Sequence, residues 1–300
     1  MTTTPTDDDS VRMNVRARYA SIVERGSCCG SDSACGAPDP LVNASASAAL
    51  GYLAEDINSV PEGSNLGLGC GNPQAIADLK PGETVLDLGS GGGFDCFLAA
   101  RQVGETGRVI GVDMTPEMIS RARENARKGD YANVEFRLGE IEHLPVADQS
   151  VDVILSNCVI NLSPNKHQVY REALRVLRHG GRLAISDVVA VRPLPAELRS
   201  SLDAYCGCVA GAIRVDELQQ LLTELGFSDV TIRLKEESRQ FIKNWFPGSG
   251  AEEYVMSADI QACKAPESPS RGQTSQSTSI VHQSSPCCPS HPPKSRNTCG

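Results

Sequence analysis

The chain is predicted to take an α/β fold, doubly wound around a mainly parallel sheet, with additions at its N- and C-terminal ends. Two observations carry this prediction. From residue 84 onward, apolar strand-like runs alternate with amphipathic helix-like runs, and that alternation implies crossover connections and parallel pairing. The first strand-like run, TVLDLG, also passes directly into a glycine-rich turn and a helix, SGGGFDCFLAA. Open α/β sheets present their ligand loops at such strand-to-helix turns.

The elements follow in order. After TVLDLG, the run FDCFLAARQV reads as a helix and RVIGVDM as a second strand. PEMISRARENARKG reads as a helix with Pro116 in its first turn, where a missing N–H does no harm. NVEFRL and VDVILSN are further strands, KHQVYREALRVLRHGG an amphipathic helix stopped by glycines, and RLAISDVV another strand. VDELQQLLTELGF is helix-like, and SDVTIRLK and YVMSADIQACK are strand-like. Upstream, SASAALGYLAEDIN at 45–58 reads as one helix with a serine cap. The expected organisation is a disordered N-terminus (1–18), a cysteine-containing region (19–75), a ligand-binding core (76–192), a C-terminal part over the acceptor side (193–265) and a disordered Ser/Pro/Cys tail (266–300).

Composition excludes several classes. A chain of 300 residues is long enough for one large domain with a substantial core. The formal net charge of −9 argues against nucleic acid, which is bound through basic surfaces. No stretch approaches the roughly 20 apolar residues of a spanning helix, and MTTTPTDDDS does not resemble a secretory signal. A cytoplasmic monomer acting on a small molecule is the expectation, without membrane or nucleic-acid partners. Twelve cysteines then need a chemical explanation. In a reducing compartment they are free, metal-binding or redox-active thiols rather than a disulfide framework.

The glycine turn runs Asp87-Leu88-Gly89-Ser90-Gly91-Gly92-Gly93 and is followed by Phe94, where a dinucleotide fingerprint would place its last glycine. Glycine lets a ligand approach the backbone closely. A pyrophosphate needs a bare helix N-terminus, and Asp87 would repel it; the same carboxylate suits a ligand carrying an ammonium group. Twenty positions past Gly93, Asp113 ends the second strand, where a carboxylate accepts hydrogen bonds from both ribose hydroxyls. Gly139-Glu140-Ile141 follows the third strand in a loop suited to lie beside an adenine. Singly these acids could be ordinary turn residues; order and spacing together make S-adenosylmethionine (SAM) the expected ligand.

Residues 84–190 resemble a class I SAM-dependent methyltransferase, with its Rossmann-like sheet. Over about 19–235 the chain resembles microbial arsenite methyltransferases, in the segments NLGLGCGNP, VLDLGSGGGFDCFLAA, IGVDMTPEMI, LGEIEHLPV, SNCVINLSP, GGRLAISDVV and CGCVAGA. The resemblance implies a SAM site at Asp87, Gly89, Ser90, Gly91, Gly93, Asp113, Met114, Glu140, Ile141 and Asn157. It also implies a catalytic set of Cys70, Cys158 and Cys208 that holds trivalent arsenic, the substrate. Three thiolates suit a thiophilic ion, and the arsenic lone pair would attack the sulfonium methyl with no general base. Cys28, Cys29 and Cys35 would act as a redox relay, with glutathione or thioredoxin as the thiol reductant.

Other readings stay open on the residues alone. Cys206 could stand in for Cys208, and Cys96, within FDCFLAA, reads as a small buried hydrophobe. Cys287, Cys288 and Cys299, with His282 and His291, match no structural zinc spacing and read as a weakly chelating, dispensable tail. A methyltransferase of a small organic acceptor would need a base or a large apolar pocket, and His143, His167 and His179 have no evident acceptor-side placement. A metalloid- or redox-sensing protein with a vestigial SAM fold is the third reading, which the intact glycines and Asp113 count against.

Overall fold

The computed structural model describes residues 7–25, 40–245 and 247–267. Its centre is a seven-stranded sheet in the order β3-β2-β1-β4-β5-β7-β6. The strands are β1 (Thr84–Leu88), β2 (Arg108–Asp113), β3 (Val134–Leu138), β4 (Val151–Asn157), β5 (Leu177–Ala190), β6 (Phe227–Lys235) and β7 (Val255–Lys264). β1 pairs in parallel with β2 and β4, β2 with β3, and β4 with β5. Only β7 runs against its neighbours, β5 and β6. The strand order reverses between β1 and β4, which places a ligand crevice at their carboxyl ends.

Side chains on the central strands alternate between two cores, as the two-residue period of a strand requires. Val85 and Val153 face one layer, which contains α5 (Phe94–Val103) and residues of α6 (Pro116–Lys128). Leu86, Leu88 and Ile154 face the other, with α7 (Lys166–Val176) and α10 (Val215–Leu225). A third apolar cluster caps the carboxyl ends of β4 and β5. It joins Val11 and Val15 to Cys70, Cys158, Cys206 and Cys208.

The structure departs from the sequence-based expectations at several points. Residues 8–18 are not disordered: α1 runs Asp8–Arg25. The Asp7 carboxylate accepts from Ser10 N at 2.8 Å, an N-terminal cap, and Val11, Val15 and Ile22 are buried along the helix. The single helix expected at 45–58 is two, α2 (Pro40–Ala49) and α3 (Ala54–Asn58). They break at Gly51, whose φ of +96° no helix accommodates. Helix α7 stops at Val176 rather than at the glycines, because buried Leu177 already pairs with Val151 as β5 begins. Four short helices had no sequence expectation: α4 (Gln74–Ala77), α8 (Ala196–Arg199), α9 (Leu202–Cys206) and α11 (Ser238–Trp245). Of the expected tail, only residues 266–267 lie within the described chain.

Candidate active site

The crevice at the end of β1 is built from backbone. Gly89 N and Ser90 N both donate to Val112 O, at 2.7 and 3.0 Å, tying the glycine loop to β2. Asp113, the last residue of β2, accepts from Gly91 N at 3.0 Å and Thr115 N at 2.8 Å. Burial pushes its carboxyl above the usual range against those two bonds. Asp87 and Asp95 are buried together, and both carboxyls are pushed up, chiefly by burial. Cys96 is buried as expected, but it also donates from Sγ to Asp87 Oδ2 at 3.3 Å. Ser90 Oγ is buried without a hydrogen-bond partner.

Gly89, Ser90, Gly91, Asp87, Asp113, Met114, Ile141 and Asn157 all line one cleft. Gly93 heads α5 beneath it, with φ of +94°. Glu140 faces elsewhere: it pairs with Arg16 at 3.3 Å and Arg12 at 3.6 Å, both on α1. Its neighbour Glu142 lines the cleft and accepts from Ser163 Oγ at 2.7 Å and Arg12 Nε at 3.3 Å. Arg12, Val15 and Tyr19 of α1 close one side of the same cleft.

Cys158 opens onto this cleft immediately after β4. The Cys70 and Cys158 sulfurs and an Asp187 oxygen lie within 4.8 Å of one another, all on buried residues. Cys208 Sγ lies 2.9 Å from the Cys158 carbonyl oxygen. Thiol neighbours decide the chemistry of this group. The Cys158 thiol is held well above its ordinary pKa, first by Cys208 and Cys70 beside it and then by burial. Burial pushes Cys70 up to about 11, with hydrogen bonding to Cys158 opposing.

Glycines on either side seat Cys70. A Cβ at Gly69 would sit 2.7 Å from the Asn157 amide, and one at Gly71 would sit 2.6 Å from Ser186 Cβ. Only a loop lacking those carbons packs so closely against the ends of β4 and β5. Asn157 fastens it: Oδ1 accepts from Cys70 N at 3.0 Å, while Nδ2 donates to Gly71 O and Tyr52 Oη, both at 3.0 Å. The Tyr52 hydroxyl in turn donates to Asp95 at 2.7 Å.

Asp187, near the end of β5, anchors the turn after Cys158. It accepts from Ile160 N at 3.1 Å, Asn161 Nδ2 at 3.0 Å and Val188 N at 2.8 Å. Burial pushes its carboxyl up to about 7, against these bonds and nearby Lys166. Asn161 Nδ2 also reaches Cys208 O, at 3.2 Å. Sequence reasoning missed Asp187, Asn161, Tyr52 and Asp95. A charged residue inside the apolar run RLAISDVV was a signal for Asp187; Tyr52 gave none. Cys206 is buried, with its thiol pushed up to about 11 mainly by burial, and its carbonyl accepts from Tyr19 Oη at 3.3 Å. Cys28, Cys29, Cys35, Cys287, Cys288, Cys299, His282 and His291 lie outside the described residues.

A mainly parallel sheet that reverses at β1 and β4 and carries antiparallel β7 between β5 and β6, with a glycine loop after β1 and a carboxylate ending β2, is the fold of a class I SAM-dependent methyltransferase. Comparison with known proteins agrees and narrows it. A methyltransferase domain model matches residues 79–226. The arsenite methyltransferase of Halobacterium salinarum is 55% identical over 266 residues, 86% of this chain and 68% of that protein. That of Aquipseudomonas alcaligenes is 47% identical over 176 residues, 56% of this chain and 50% of that protein. The crystal structure of an arsenic(III) SAM methyltransferase from Chlamydomonas reinhardtii superposes with a TM-score of 0.56 at 35% identity, covering 74% of each chain. The chain belongs to the arsenite methyltransferase family.

Proposed function

We propose that this protein transfers the methyl group of SAM to trivalent arsenic held by Cys158, Cys208 and Cys70. The observation that carries the proposal is that Cys158 belongs to two sites at once. It lines the cleft formed by Gly91 and Asp113, its sulfur lies within 4.8 Å of the Cys70 sulfur, and its carbonyl accepts from the Cys208 thiol at 2.9 Å.

The residues fit SAM. Ser90 Oγ offers a buried, unpartnered hydroxyl within the cleft, a position that a polar ligand atom would satisfy. Asp113 would take the ribose hydroxyls, Ile141 and Met114 would flank the adenine, and Asp87 would face the methionine ammonium. SAM supplies a methyl group on a positively charged sulfur. Gly89, Gly91, Gly93 and Asn157 would shape the backbone around it. Glu140, turned to Arg12 and Arg16, would act by holding α1 over the cleft.

Arsenous acid exchanges its hydroxyls for thiols, each thiol proton leaving in a water molecule. The arsenic lone pair then forms the As–C bond as the methyl leaves its sulfur. Positioning does most of the work, because the attacking pair carries no proton. Methylation raises arsenic by two oxidation units, and two thiols must return the electrons as a disulfide. Cys28, Cys29 and Cys35, with glutathione or thioredoxin, are the proposed source. We place the enzyme in the cytoplasm, acting as a monomer. Among the described residues, no helix is long and apolar enough to cross a membrane.

The test is incubation of purified protein with SAM, arsenite and glutathione, with arsenic speciation over time. Methylated arsenicals are expected. Their absence while SAM binding is intact would overturn the proposal.

A further inference from the structure

The arsenic reading employs three sulfurs and uses Asp187 only as the anchor of the turn after Cys158. Yet this carboxylate, not Cys208, completes the compact triplet with Cys70 and Cys158. Its oxygens accept from Asn161 Nδ2, Val188 N and Ile160 N. A carboxylate has about four acceptor positions, so three such bonds leave one to offer. A three-coordinate, thiophilic arsenic centre gains little from a carboxylate oxygen. A closed-shell dication gains a great deal, since zinc takes sulfur and carboxylate oxygen together in tetrahedral sites.

We propose that Cys70, Cys158 and Asp187 form a zinc-binding site, with the fourth coordination position open to water from the cleft. Two sulfurs bound to one tetrahedral zinc at ~2.3 Å stand ~3.8 Å apart. Ligand atoms already within 4.8 Å of each other need to close by only about 1 Å. Asp187 is fixed by its three hydrogen bonds, so the cysteines make the adjustment. Cys158 borders the cleft, which gives the ion an entry path and the fourth ligand its place. Each thiol, and the Asp187 carboxyl where it is protonated, gives its proton to solvent as the ion enters, and no electron is transferred. Two thiolates and a carboxylate leave one surplus negative charge on the site, and nearby Lys166 offsets it.

Zinc and arsenic would then exclude each other, because both need Cys70 and Cys158; this competition rests on the arsenic reading above. The two ions differ at the remaining ligand. Zinc depends on Asp187, arsenic on Cys208.

The experiment uses the full, reduced chain and Co²⁺ as a spectroscopic stand-in for zinc. Titration is expected to give the visible bands of tetrahedral cobalt and a sulfur-to-cobalt charge-transfer band, both removed by added Zn²⁺. Cys70→Ala and Cys158→Ala should each abolish this signal. Asp187→Asn should weaken cobalt binding by at least about tenfold, and Cys208→Ala should leave it in place. Arsenite binding, followed by equilibrium dialysis, should show the reverse: lost in Cys208→Ala, and weakened far less than cobalt binding in Asp187→Asn, whose amide oxygen can still accept from Asn161 and Val188. Arsenite binding that persists also certifies that Asp187→Asn is folded, and Cys70→Ala provides a second variant. The site is overturned if wild type gives no tetrahedral cobalt spectrum, or if the spectrum survives Cys70→Ala and Asp187→Asn. Cobalt binding without arsenite binding would instead sink the arsenic reading and leave the zinc site standing.

Discussion

The Cys208 thiol donates to the Cys158 carbonyl across 2.9 Å, and both residues hold left-handed backbone, with φ of +62° and +60°. Left-handed conformations are unfavourable for residues with a Cβ and persist where their surroundings over-determine them. Here Asn161 and Asp187 supply the restraint, bonding Cys208 O, Val188 O and the turn after Cys158. Cys158→Ala and Cys208→Ala should therefore abolish arsenite methylation while SAM affinity stays within about threefold, a change below ~1 kcal/mol. Calorimetric SAM titration beside arsenic speciation separates the two effects. A variant that loses SAM binding as well would place the thiols in the donor site instead.

Ser90 makes the opposite prediction about the donor cleft. Its hydroxyl is buried and unpartnered, so folding gains nothing from it. Ser90→Ala should therefore leave the ligand-free protein at least as stable as wild type, gaining up to ~1–3 kcal/mol. If a SAM oxygen or nitrogen satisfies the hydroxyl, the same change should weaken SAM by ~1 kcal/mol, about fivefold. Thermal denaturation and calorimetry on one preparation read both. An unchanged SAM affinity would remove Ser90 from the binding site.

The sheet was legible in the sequence because each central strand is a short apolar run ending at a ligand loop, and Asp87, Gly91 and Asp113 announce themselves by spacing. Residues that act through long-range contacts were not. Tyr52 reaches Asp95 across 43 positions and Asn157 across 105, and no local pattern encodes such a meeting. Helix α1 was hidden for a different reason. Its buried residues Val11, Val15 and Ile22 stand among charged ones, and so polar a segment reads as unstructured until a core is present to receive it.

The polar chain from Tyr52 through Asp95 and Asn157 to the Cys70 amide gives a coupling prediction. Tyr52→Phe deprives the buried Asp95 carboxyl of a donor at 2.7 Å, which costs ~1–3 kcal/mol. Asn157→Ala frees Cys70 N and Gly71 O from their shared partner and costs a similar ~1–3 kcal/mol. Because Asn157 Nδ2 bonds the Tyr52 hydroxyl directly, the double variant should lose less than the sum, by ~0.5 kcal/mol or more. Urea denaturation of the four proteins measures it. Strict additivity would show that the chain of bonds is not energetically continuous.

The thiols set the response to pH. Cys70, pushed from 9.0 to about 11, and Cys158, held well above its ordinary value, stay protonated at neutral pH. Arsenous acid is neutral there too, and its exchange of three hydroxyls for three thiols releases water and no net proton. Thiol ionisation should therefore add no slope to arsenite affinity between about pH 6 and about pH 8, whereas sites of acidic, ionised thiols titrate in that range; a slope there that disappears in Asp187→Asn belongs to the Asp187 carboxyl, pushed up to about 7 beside Cys70 and Cys158. Stability follows the sign of the shift. A thiol whose folded pKa is raised stabilises the fold below its unfolded pKa, near 9.0, and that contribution fades as pH climbs through about 11. Two units at 1.36 kcal/mol each put it at up to about 3 kcal/mol. The stability gap between wild type and Cys70→Ala should accordingly narrow above about pH 9, with distant ionisable groups cancelling between the two proteins and Cys158, which Cys70 helps to hold high, contributing to the same change. Urea midpoints at about pH 7, 9 and 10.5 follow it, and a gap that widens with pH would mean that Cys70 is ionised in the folded enzyme.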